Sequence, residues 1–330
     1  MDSTKDSKVH VYHLIGKLVH GGLEKQVSLY SKFSVSNQIT HHIVSTNWRV
    51  EKGSKLYGEH VLGGVLELIK YLNSKENQTI HCHTTKAVII GFFINLIKRN
   101  ITLTFHVHTY QVMNYGWLRL FLFRFKKIIA VNSDLSKKAK EVFKFDNVCT
   151  IPNGLVINTE NIVNTEKDIF GYVGRLEPEK NVLEIPKLIK SINEKYGVYV
   201  SQIIIFGEGS LKDDLTRLLK KNQIEYKFIS GEFNPVNIYK SFGTLLVPSK
   251  IESFSLSTIE ALIHGKHVFT NDKVSYDLFK GIFQEKIRFI ESDNITNQSA
   301  EIRPIKKLNQ LNIHHVIMKL ETMWLSLNES

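Results

Sequence analysis

Short apolar runs alternate with stretches of helical apolar spacing along most of the chain. Runs such as VHVYHLI are rich in β-branched and aromatic residues and predict strands, whereas apolar residues three or four apart predict helices between them. In the first half, this pattern predicts strands at 9–15, 41–45, 79–82, 102–106, 127–131 and 147–151. The helices predicted between them begin at about residue 23, lie near 58–72, and span 86–97, 117–125 and 134–143. The alternation favours a parallel sheet with helices on both faces, so the predicted fold class is α/β.

The second half repeats this rhythm after a polar stretch at 158–167, which lacks apolar periodicity and predicts a linker. Strands are predicted at 169–173, 202–206, 226–229, 244–248 and 267–270, the last of which is expected to close the sheet, and an amphipathic helix is predicted at 311–327. With 330 residues and 42% apolar content, the chain is long enough for two cores. We therefore predict domains at 1–165 and 166–310, followed by a C-terminal helical segment at 311–330.

Targeting signals are not evident in the sequence. The amino terminus MDSTKDSK is polar, and the longest apolar run, at 87–97, is shorter than the roughly 20 residues that a membrane span needs. Cys82 and Cys149 lie in predicted strands without motif spacing, which is typical of buried, reduced cysteines. We expect a cytoplasmic protein, soluble or peripheral at the inner face of the membrane.

The excess of positive charge lies almost entirely in the first half. Residues 1–165 carry 21 Lys and Arg against 11 Asp and Glu, whereas residues 166–330 carry 22 against 21. This asymmetry favours contact between the first half and an anionic surface, such as a membrane leaflet, a lipid diphosphate or nucleic acid. Charge that serves only solubility is the alternative.

The stretch PSKIESFSLSTIEALIHGKHVFTN at 248–271 combines two carboxylates with a predicted helix start. Glu252 and Glu260 are separated by seven residues, and the loop between them offers backbone N–H groups where a phosphate can bind. The two carboxylates can accept hydrogen bonds from hydroxyls, so the stretch fits a nucleotide sugar. The alternative is a capped amphipathic helix with solvated glutamates.

A second charged loop, GRLEPEKN, follows the strand at 169–173. Arg175 and Lys180 stand five residues apart, and two cations that converge on one point can neutralise a diphosphate. A solvated turn in which Glu177 and Glu179 are their ion partners is the alternative.

Glycine turns follow several predicted strands. The pair Gly21-Gly22 and the turn Gly207-Glu208-Gly209-Ser210 each connect a strand to a helix, although neither has the spacing of a dinucleotide-binding fingerprint. Plain turn residues are the alternative for both.

Two strands end in paired histidines, His81 with His83 and His106 with His108. Residues two apart on a strand share a face, so each pair can point toward the carboxyl edge of the sheet. Imidazole is a common zinc ligand, but no carboxylate or cysteine at ligand spacing accompanies these residues. Neutral, hydrogen-bonded histidines explain them more simply.

Residues 117–127, WLRLFLFRFKK, combine aromatic and basic side chains. As a helix the segment is apolar around much of its circumference, so part of it must pack in the core. The remainder can lie at a lipid interface with its basic residues toward the headgroups. Core packing is the simpler interpretation.

The motifs together resemble a known family. The pair Gly21-Gly22, the motif G-R-L-x-x-x-K that begins at Gly174, and E-x7-E followed by E-A-L-x-x-G-x-x-V resemble the retaining GT-B glycosyltransferases of family 4. The resemblance implies two Rossmann-like domains facing a central cleft, with the last helix packing back on the first domain. It also implies metal-independent, retaining transfer from a nucleoside diphosphate sugar, UDP-linked, to a saccharide or lipid-linked saccharide acceptor in cell-surface or exopolysaccharide synthesis.

The resemblance assigns roles to individual residues. Arg175, Lys180 and the N–H groups near Leu256 and Ser257 would stabilise the departing diphosphate, Glu252 would bind sugar hydroxyls, Glu260 would bind the ribose, and His106 would lie beside the transferred sugar. The implied donor-binding residues also include Gly21, Gly22, Gly174, Gly207, Gly209, Phe254 and Ser255. Family members often have glycine where this chain has Ser255, and a serine there is unfavourable if the backbone φ angle is positive.

Two other kinds of function are alternatives. A non-catalytic GT-B subunit that binds and supports a partner glycosyltransferase would have the same architecture. A basic nucleic-acid binder is suggested only by charge, and no recognisable nucleic-acid module accompanies it. We expect a sugar donor, a saccharide or lipid-linked acceptor and an anionic membrane surface as partners, and neither a nucleic acid nor a cofactor or metal.

Overall fold

The computed structural model describes residues 8–16, 22–46, 61–62, 64–72, 77–157, 166–231, 235–290 and 305–329. The chain divides into two compact units, and we call residues 1–156 with 308–330 unit 1 and residues 157–307 unit 2. The sequence analysis places the corresponding boundaries at 165/166 and 310/311. Most of the predicted linker and Gly21 lie outside the described residues.

The strands follow one another along the whole chain. They are β1 Val9–Ile15, β2 Ile39–Ser45, β3 Val61–Leu62, β4 Gln78–Cys82, β5 Ile101–Val107, β6 Lys127–Ala130, β7 Val148–Thr150, β8 Ile169–Val173, β9 Gln202–Phe206, β10 Tyr226–Ile229, β11 Thr244–Val247, β12 His267–Thr270 and β13 Ile287–Phe289. Helices connect most of them: α1 Gly22–Lys32, α2 Val65–Leu72, α3 Thr85–Ile97, α4 Arg119–Leu122, α5 Ser133–Phe143, α6 Ile185–Tyr196, α7 Lys212–Lys221, α8 Pro235–Lys240, α9 Leu256–Ile263, α10 Lys273–Phe283 and α11 Ile313–Glu329.

Both units contain a parallel sheet, and the six strands of unit 2 follow the same order as the first six of the seven strands in unit 1. Unit 1 has the order β3-β2-β1-β4-β5-β6-β7, and unit 2 has the order β10-β9-β8-β11-β12-β13. In each unit the chain runs outward in one direction and then returns to continue on the other side of its first strand. The resulting switch point, between β1 and β4 in unit 1 and between β8 and β11 in unit 2, is where α/β sheets bind ligands at the carboxyl ends of their strands. The predicted α/β class with two Rossmann-like domains is confirmed.

Helix α11 belongs to the core of unit 1. Its buried residues Ile313, Val316, Ile317, Leu320 and Trp324 recur at helical spacing and pack with β1 and α1 residues such as Val9, Val11 and Tyr30. The bridge between Leu155 and Asn312 joins the segment before the helix to the end of the first part of the chain. The last helix therefore completes the core that the first 156 residues begin.

Three local expectations differ from the structure. The helix predicted near 58–72 begins only at Val65, because Gly64 has a φ of 127° and separates it from β3. The helix predicted at 117–125 is a 3₁₀ turn at Gly116–Leu118 followed by α4, since the Lys126 N–H leaves the helix to bond the Leu103 carbonyl at 2.8 Å. Strand β12 does not close its sheet, because β13 pairs with its outer edge.

Within the described part of the chain, the helices are all too short or too polar to traverse a lipid bilayer.

Candidate functional site at the switch point of unit 2

Two loops meet at the switch point of unit 2, one after β8 and one after β11. The loop after β8 is fastened to the loop after β9 by backbone hydrogen bonds, from the Leu176 N–H to the Glu208 carbonyl and from the Leu211 N–H to the Leu176 carbonyl, both 2.9 Å. The predicted site residues on these loops are thereby held on a fixed backbone at the carboxyl edge of the sheet.

Glycine is required where these two loops approach each other. A Cβ atom at Gly207 would collide with the carbonyl oxygen of Gly174, and one at Gly209 would collide with the backbone of Leu176. Because both obstacles are backbone atoms, neither can move away as a flexible side chain would. The glycines predicted to lie at the nucleotide therefore serve close packing of the two loops.

Lys180 and Glu252 bring the two charged motifs together. The Lys180 Nζ atom lies 2.7 Å from the Glu252 Oε1 atom, although the residues are 72 positions apart in the chain. The same Oε1 atom accepts a hydrogen bond of 2.7 Å from the Ser249 hydroxyl. The lysine side chain remains 26% exposed, so its charge is available to a ligand as well as to the glutamate.

Arg175 occupies the same loop but has a different partner. Its guanidinium lies 2.6 Å from the Glu179 carboxylate, and its side chain is 66% exposed. An exposed pair of this kind contributes little to stability and can rearrange at small cost. Arg175 is thus free to turn toward an anion.

Asn181 joins the loop after β8 to the end of β11. Its backbone is left-handed, with a φ of 54°, and its side-chain amide donates to the Pro248 carbonyl at 3.1 Å. This contact fixes the end of the Lys180 loop beside the start of the Glu252 loop.

Asp272 supports Glu252 from the next strand end. Its carboxylate accepts the Glu252 N–H at 3.0 Å and, as the N-cap of α10, the N–H groups of Val274 and Ser275 at 3.2 and 2.8 Å. Burial raises the pKa of Asp272 to about 7, and the charge of Glu252 also raises it. The hydrogen bonds from Ser275 and from the Glu252 N–H lower this pKa but do not offset the burial.

The start of α9 has the strained geometry considered in the sequence analysis. Ser255 has a φ of 44°, the left-handed conformation that favours glycine. Its hydroxyl pairs with the Thr258 hydroxyl at 2.7 Å and makes no cap to the helix backbone. Phe254 is buried against Phe279, so its side chain belongs to the core of unit 2.

Glu260 has a separate partner, Tyr239. The Tyr239 hydroxyl donates to the Glu260 Oε2 atom at 3.0 Å. Burial raises the pKa of Tyr239 well above its ordinary value, and the charge of Glu260 raises it further. The phenol therefore stays protonated and orients the glutamate.

The remaining predicted residues lie in unit 1. Gly22 begins α1 with its surface exposed. His106 lies in β5 with no exposed surface, whereas His108, just beyond the strand end, is partly exposed. Burial lowers the pKa of His106 well below its ordinary value, and neighbouring histidines, His108 first, lower it further. His106 is accordingly a neutral side chain.

The histidines of unit 1 form a continuous hydrogen-bonded chain. It runs from Glu321 to His41 at 3.3 Å, to His13 at 2.9 Å, to His83 at 3.1 Å and to His108 at 3.0 Å. An ionised carboxylate only accepts, so each imidazole donates from Nε2 toward Glu321 and accepts at Nδ1. A second chain links Thr104, His81 and His106 at 2.6 and 3.3 Å.

Several supporting residues were missed by the sequence analysis, namely Asn181, Tyr239, Ser249, Asp272 and Glu321. Asp272 had a readable signal, because an aspartate directly after a strand and before a helix is a typical N-cap. The others act through contacts with distant residues and carry no local pattern.

Comparison with known proteins agrees with this geometry. Residues 157–311 match the family model "Glycosyl transferases group 1". The chain is 26% identical over 281 residues to the UDP-Gal:alpha-D-GlcNAc-diphosphoundecaprenol alpha-1,3-galactosyltransferase of Escherichia coli, covering 74% of this chain and 71% of that protein.

Solved structures show the same fold. A glycosyltransferase from Rickettsia africae superposes with a TM-score of 0.69 at 14% identity, over 97% of this chain and 98% of that one. The lipopolysaccharide outer core galactosyltransferase WaaB superposes with a TM-score of 0.70 at 15% identity, over 96% and 99% of the two chains.

The fold is that of the GT-B glycosyltransferases, built from two parallel α/β units. The second unit carries the sequence similarity to the glycosyl transferases group 1, which covers residues 157–311.

Proposed function

We propose that the protein transfers a sugar, with retention of anomeric configuration, from a UDP-sugar to a lipid-linked saccharide in cell-surface polysaccharide synthesis. The Lys180–Glu252 contact carries this proposal, because it brings the two charged motifs to one point at the switch point of unit 2. The Escherichia coli relative is named for a UDP-galactose donor and a diphosphoundecaprenol-linked acceptor, which supports the same classes of substrate here.

Fixed positive groups would stabilise the departing diphosphate. Arg175 and Lys180 supply two cations, and the backbone at the start of α9 supplies N–H groups near Leu256 and Ser257. Positive groups already in place before the charge develops lower the barrier without reorganisation. We therefore propose that the transfer itself needs no metal ion.

For a retaining transfer, the surroundings of Glu252 argue against a covalent intermediate on this residue. Its Oε1 atom is already engaged by the Lys180 ammonium and the Ser249 hydroxyl, which weakens it as a nucleophile toward the anomeric carbon. In the proposed step, the acceptor oxygen forms a bond to the anomeric carbon on the face from which the diphosphate departs. The acceptor proton passes to a diphosphate oxygen, and Glu252 holds sugar hydroxyls while Glu260 holds the ribose.

The site in unit 1 contributes less to this proposal. His106 keeps its proposed role beside the transferred sugar, which requires the buried ring to act through its hydrogen-bonded neighbours or to become accessible. The exposed side chains on and beside α3 and α4 would contact the acceptor more directly.

An aromatic surface on unit 1 fits a lipid-linked acceptor. The exposed apolar side chains here include Phe93 and Ile97 on α3 and Phe123 directly after α4. Ile97 is 86% exposed and Phe123 is 68% exposed. The rings of Phe92 and Phe123 are in contact at 5.6 Å, so the two helices present one surface. The exposed basic residues Arg99 and Arg119 accompany it. Aromatic and basic side chains together are typical of an anionic lipid interface.

The central experiment measures transfer directly. The purified protein is incubated with UDP-, GDP- and ADP-sugars and a sugar-diphospholipid acceptor, and the product is identified by mass spectrometry and its anomeric configuration by NMR. We expect a retained linkage from a UDP-sugar, with activity preserved after chelation. Absence of product with every donor, or an inverted linkage, would contradict the proposal, and loss of turnover on chelation would contradict metal independence.

Membrane contact is tested separately by sedimentation with vesicles. Phosphatidylglycerol vesicles should carry down the parent protein, whereas the double variant Phe93→Ser/Phe123→Ser should remain in solution. Tyr199→Ser is the matched control, because Tyr199 is 70% exposed in unit 2. Equal binding of the double variant, or binding that Tyr199→Ser also abolishes, would refute the surface.

A further inference from the structure

The carboxyl edge of the sheet in unit 1 gathers imidazoles at the spacing of metal ligands. One ring nitrogen from each of His83, His106 and His108 lies within 4.8 Å of the other two. His83 follows β4, His106 is the penultimate residue of β5, and His108 lies beyond β5, so two adjacent strand ends supply the group. We propose that these three histidines bind one transition-metal dication, with Zn²⁺ as the preferred ion.

The hydrogen bonds leave one buried nitrogen of this group without a partner. His106 uses Nδ1 in its contact with His81, while its Nε2 atom makes no hydrogen bond to any described residue. A buried polar atom without a partner is unfavourable. A cation at this point would satisfy it.

Asn153 supplies a second unsatisfied atom at the same place. Its Oδ1 atom is buried and has no hydrogen-bond partner among the described residues, and its side chain lies beside His108. If a cation takes the Nε2 atom of His108, the proton of that imidazole moves to Nδ1, where Asn153 Oδ1 can accept it. One ion thereby resolves both unsatisfied atoms, and no net proton is released.

The surrounding contacts match the outer shell of a metal site. Metal-bound histidines commonly donate their other ring N–H to a carboxylate or another acceptor, which fixes their tautomer. His83 donates to His13, His13 donates to His41, and His41 donates to the carboxylate of Glu321. The Nδ1 atom of His83, which faces His108, therefore keeps its lone pair. His106 is linked through His81 to the hydroxyl of Thr104.

The choice of ion follows from the ligands. Three neutral imidazoles suit zinc, copper and nickel better than calcium or magnesium, which prefer oxygen ligands. His108 is partly exposed, so an ion can enter from the solvent side and a fourth position can be taken by water. This site is separate from the diphosphate groups of unit 2, and its test does not depend on transfer activity.

The test is metal binding by protein without an affinity tag. The chain is stripped of metal, titrated with Co²⁺ and Zn²⁺, and examined by visible absorption of bound Co²⁺ and by elemental analysis. We expect one ion per chain. His108→Gln and His106→Gln should each weaken binding by more than 100-fold, and Asn153→Ala, which removes an outer-shell contact, by about 10-fold to 100-fold. The exposed His314 provides the matched control, His314→Gln, which should bind as the parent does.

His108→Gln is the decisive variant, because a partly exposed residue can be replaced without unfolding the unit. Failure of the parent to take up either ion would overturn the site. Unchanged binding by His108→Gln would also overturn it, and loss in His13→Gln and His81→Gln alone would place the ion at the neighbouring group of His13, His81 and His83.

Discussion

The two units use one strand order but place different chemistry at its switch point. In unit 2 the loops there carry charged side chains that remain partly exposed, such as Lys180 and Arg175. In unit 1 the corresponding strand ends carry imidazoles, of which His13, His81 and His83 are buried; His13 is hydrogen-bonded to His83, and His81 to His106. Burial lowers the pKa of each of these three histidines well below its ordinary value, so they are neutral.

The difference follows from the cost of burial. A charge is expensive to remove from water, so cations that bind an anion must stay near the surface until the ligand arrives. A neutral imidazole can be buried at small cost when both ring nitrogens are hydrogen-bonded. Unit 2 is thus suited to an anionic ligand, and unit 1 to neutral groups or to a soft metal ion.

The largest expected effect is the loss of Lys180. Lys180→Ala removes one fixed cation and leaves Glu252 with only its Ser249 hydrogen bond. Removing one preorganised group that stabilises a developing charge typically lowers kcat by about 10²- to 10³-fold, and we expect that loss for sugar transfer at saturating donor. Lys190→Ala is the control, since Lys190 is exposed on α6 and pairs only loosely with Glu194 at 3.9 Å. Equal turnover in the two variants would remove Lys180 from the mechanism.

The next effect concerns the buried carboxylate of unit 1. Glu321 accepts hydrogen bonds from the Ser34 hydroxyl at 2.6 Å, the Ser36 N–H at 2.9 Å and His41. Glu321→Ala leaves the buried His41 without its acceptor and also removes the acceptor of the more exposed Ser34 and Ser36, so it should lower the free energy of unfolding by about 2–3 kcal/mol. Trp324 is buried beside His41, so its fluorescence reports the unfolding of this unit in urea.

Two further variants bracket that result. Glu321→Gln keeps one acceptor oxygen and should fall between the parent and Glu321→Ala. Glu329→Ala removes an exposed carboxylate at the end of the same helix and should leave stability unchanged. If Glu321→Ala matched Glu329→Ala, the carboxylate could not be what anchors the histidine chain.

These contacts also show what the sequence could reveal. Strands such as β1, β8 and β12 were predicted with the bounds that the structure gives, because each is an apolar run between turn residues. The α/β class and the two Rossmann-like domains followed from their alternation. The charged loops of unit 2 were readable because Arg175, Lys180, Glu252 and Glu260 lie in short motifs of fixed spacing.

The parts that could not be predicted depend on tertiary contacts. Glu321 meets Ser34 across 287 positions of sequence, and no local pattern marks that pairing. The helix predicted at 117–125 is shortened to α4 because Lys126 bonds to Leu103 in the sheet, which overrides a segment with strong helical spacing. The predicted roles of His106 and of the residues around Ser255 remain proposals.

A smaller effect concerns pH and Asp272. Its folded pKa of about 7 lies above the unfolded value of 3.8, so folding favours the protonated acid. The stability that this provides is present at low pH and is lost as pH rises toward 7, levelling off above that value. Between about pH 5 and pH 8 the parent should lose on the order of 2 kcal/mol from this group.

Asp272→Asn removes that ionisation while it retains the Oδ1 atom that accepts the Glu252 N–H. Urea unfolding of unit 2 at the two pH values should therefore show a flatter profile for the variant. Asp213→Asn is the control, because Asp213 is exposed in the first turn of α7 and should leave the parent profile intact. A parent profile without this decline, or a variant that keeps it, would show that Asp272 is ionised throughout.

The smallest effect tests the strained serine at the start of α9. Ser255 has a φ of 44°, a conformation that costs a residue with a Cβ atom about 1 kcal/mol relative to glycine. Ser255→Gly removes this strain and also the hydroxyl contact with Thr258, whereas Ser255→Ala removes only the contact. The difference between the two variants isolates the backbone term, so thermal unfolding should show Ser255→Gly more stable than Ser255→Ala by about 1 kcal/mol.

Because the N–H groups at this helix start are proposed to meet the diphosphate, relief of the strain should also strengthen donor binding in Ser255→Gly by up to about 5-fold. Equal stability in the two variants would mean that the serine adopts this backbone conformation without cost. Equal donor affinity would mean that the serine, where the family commonly has glycine, has no effect on donor binding.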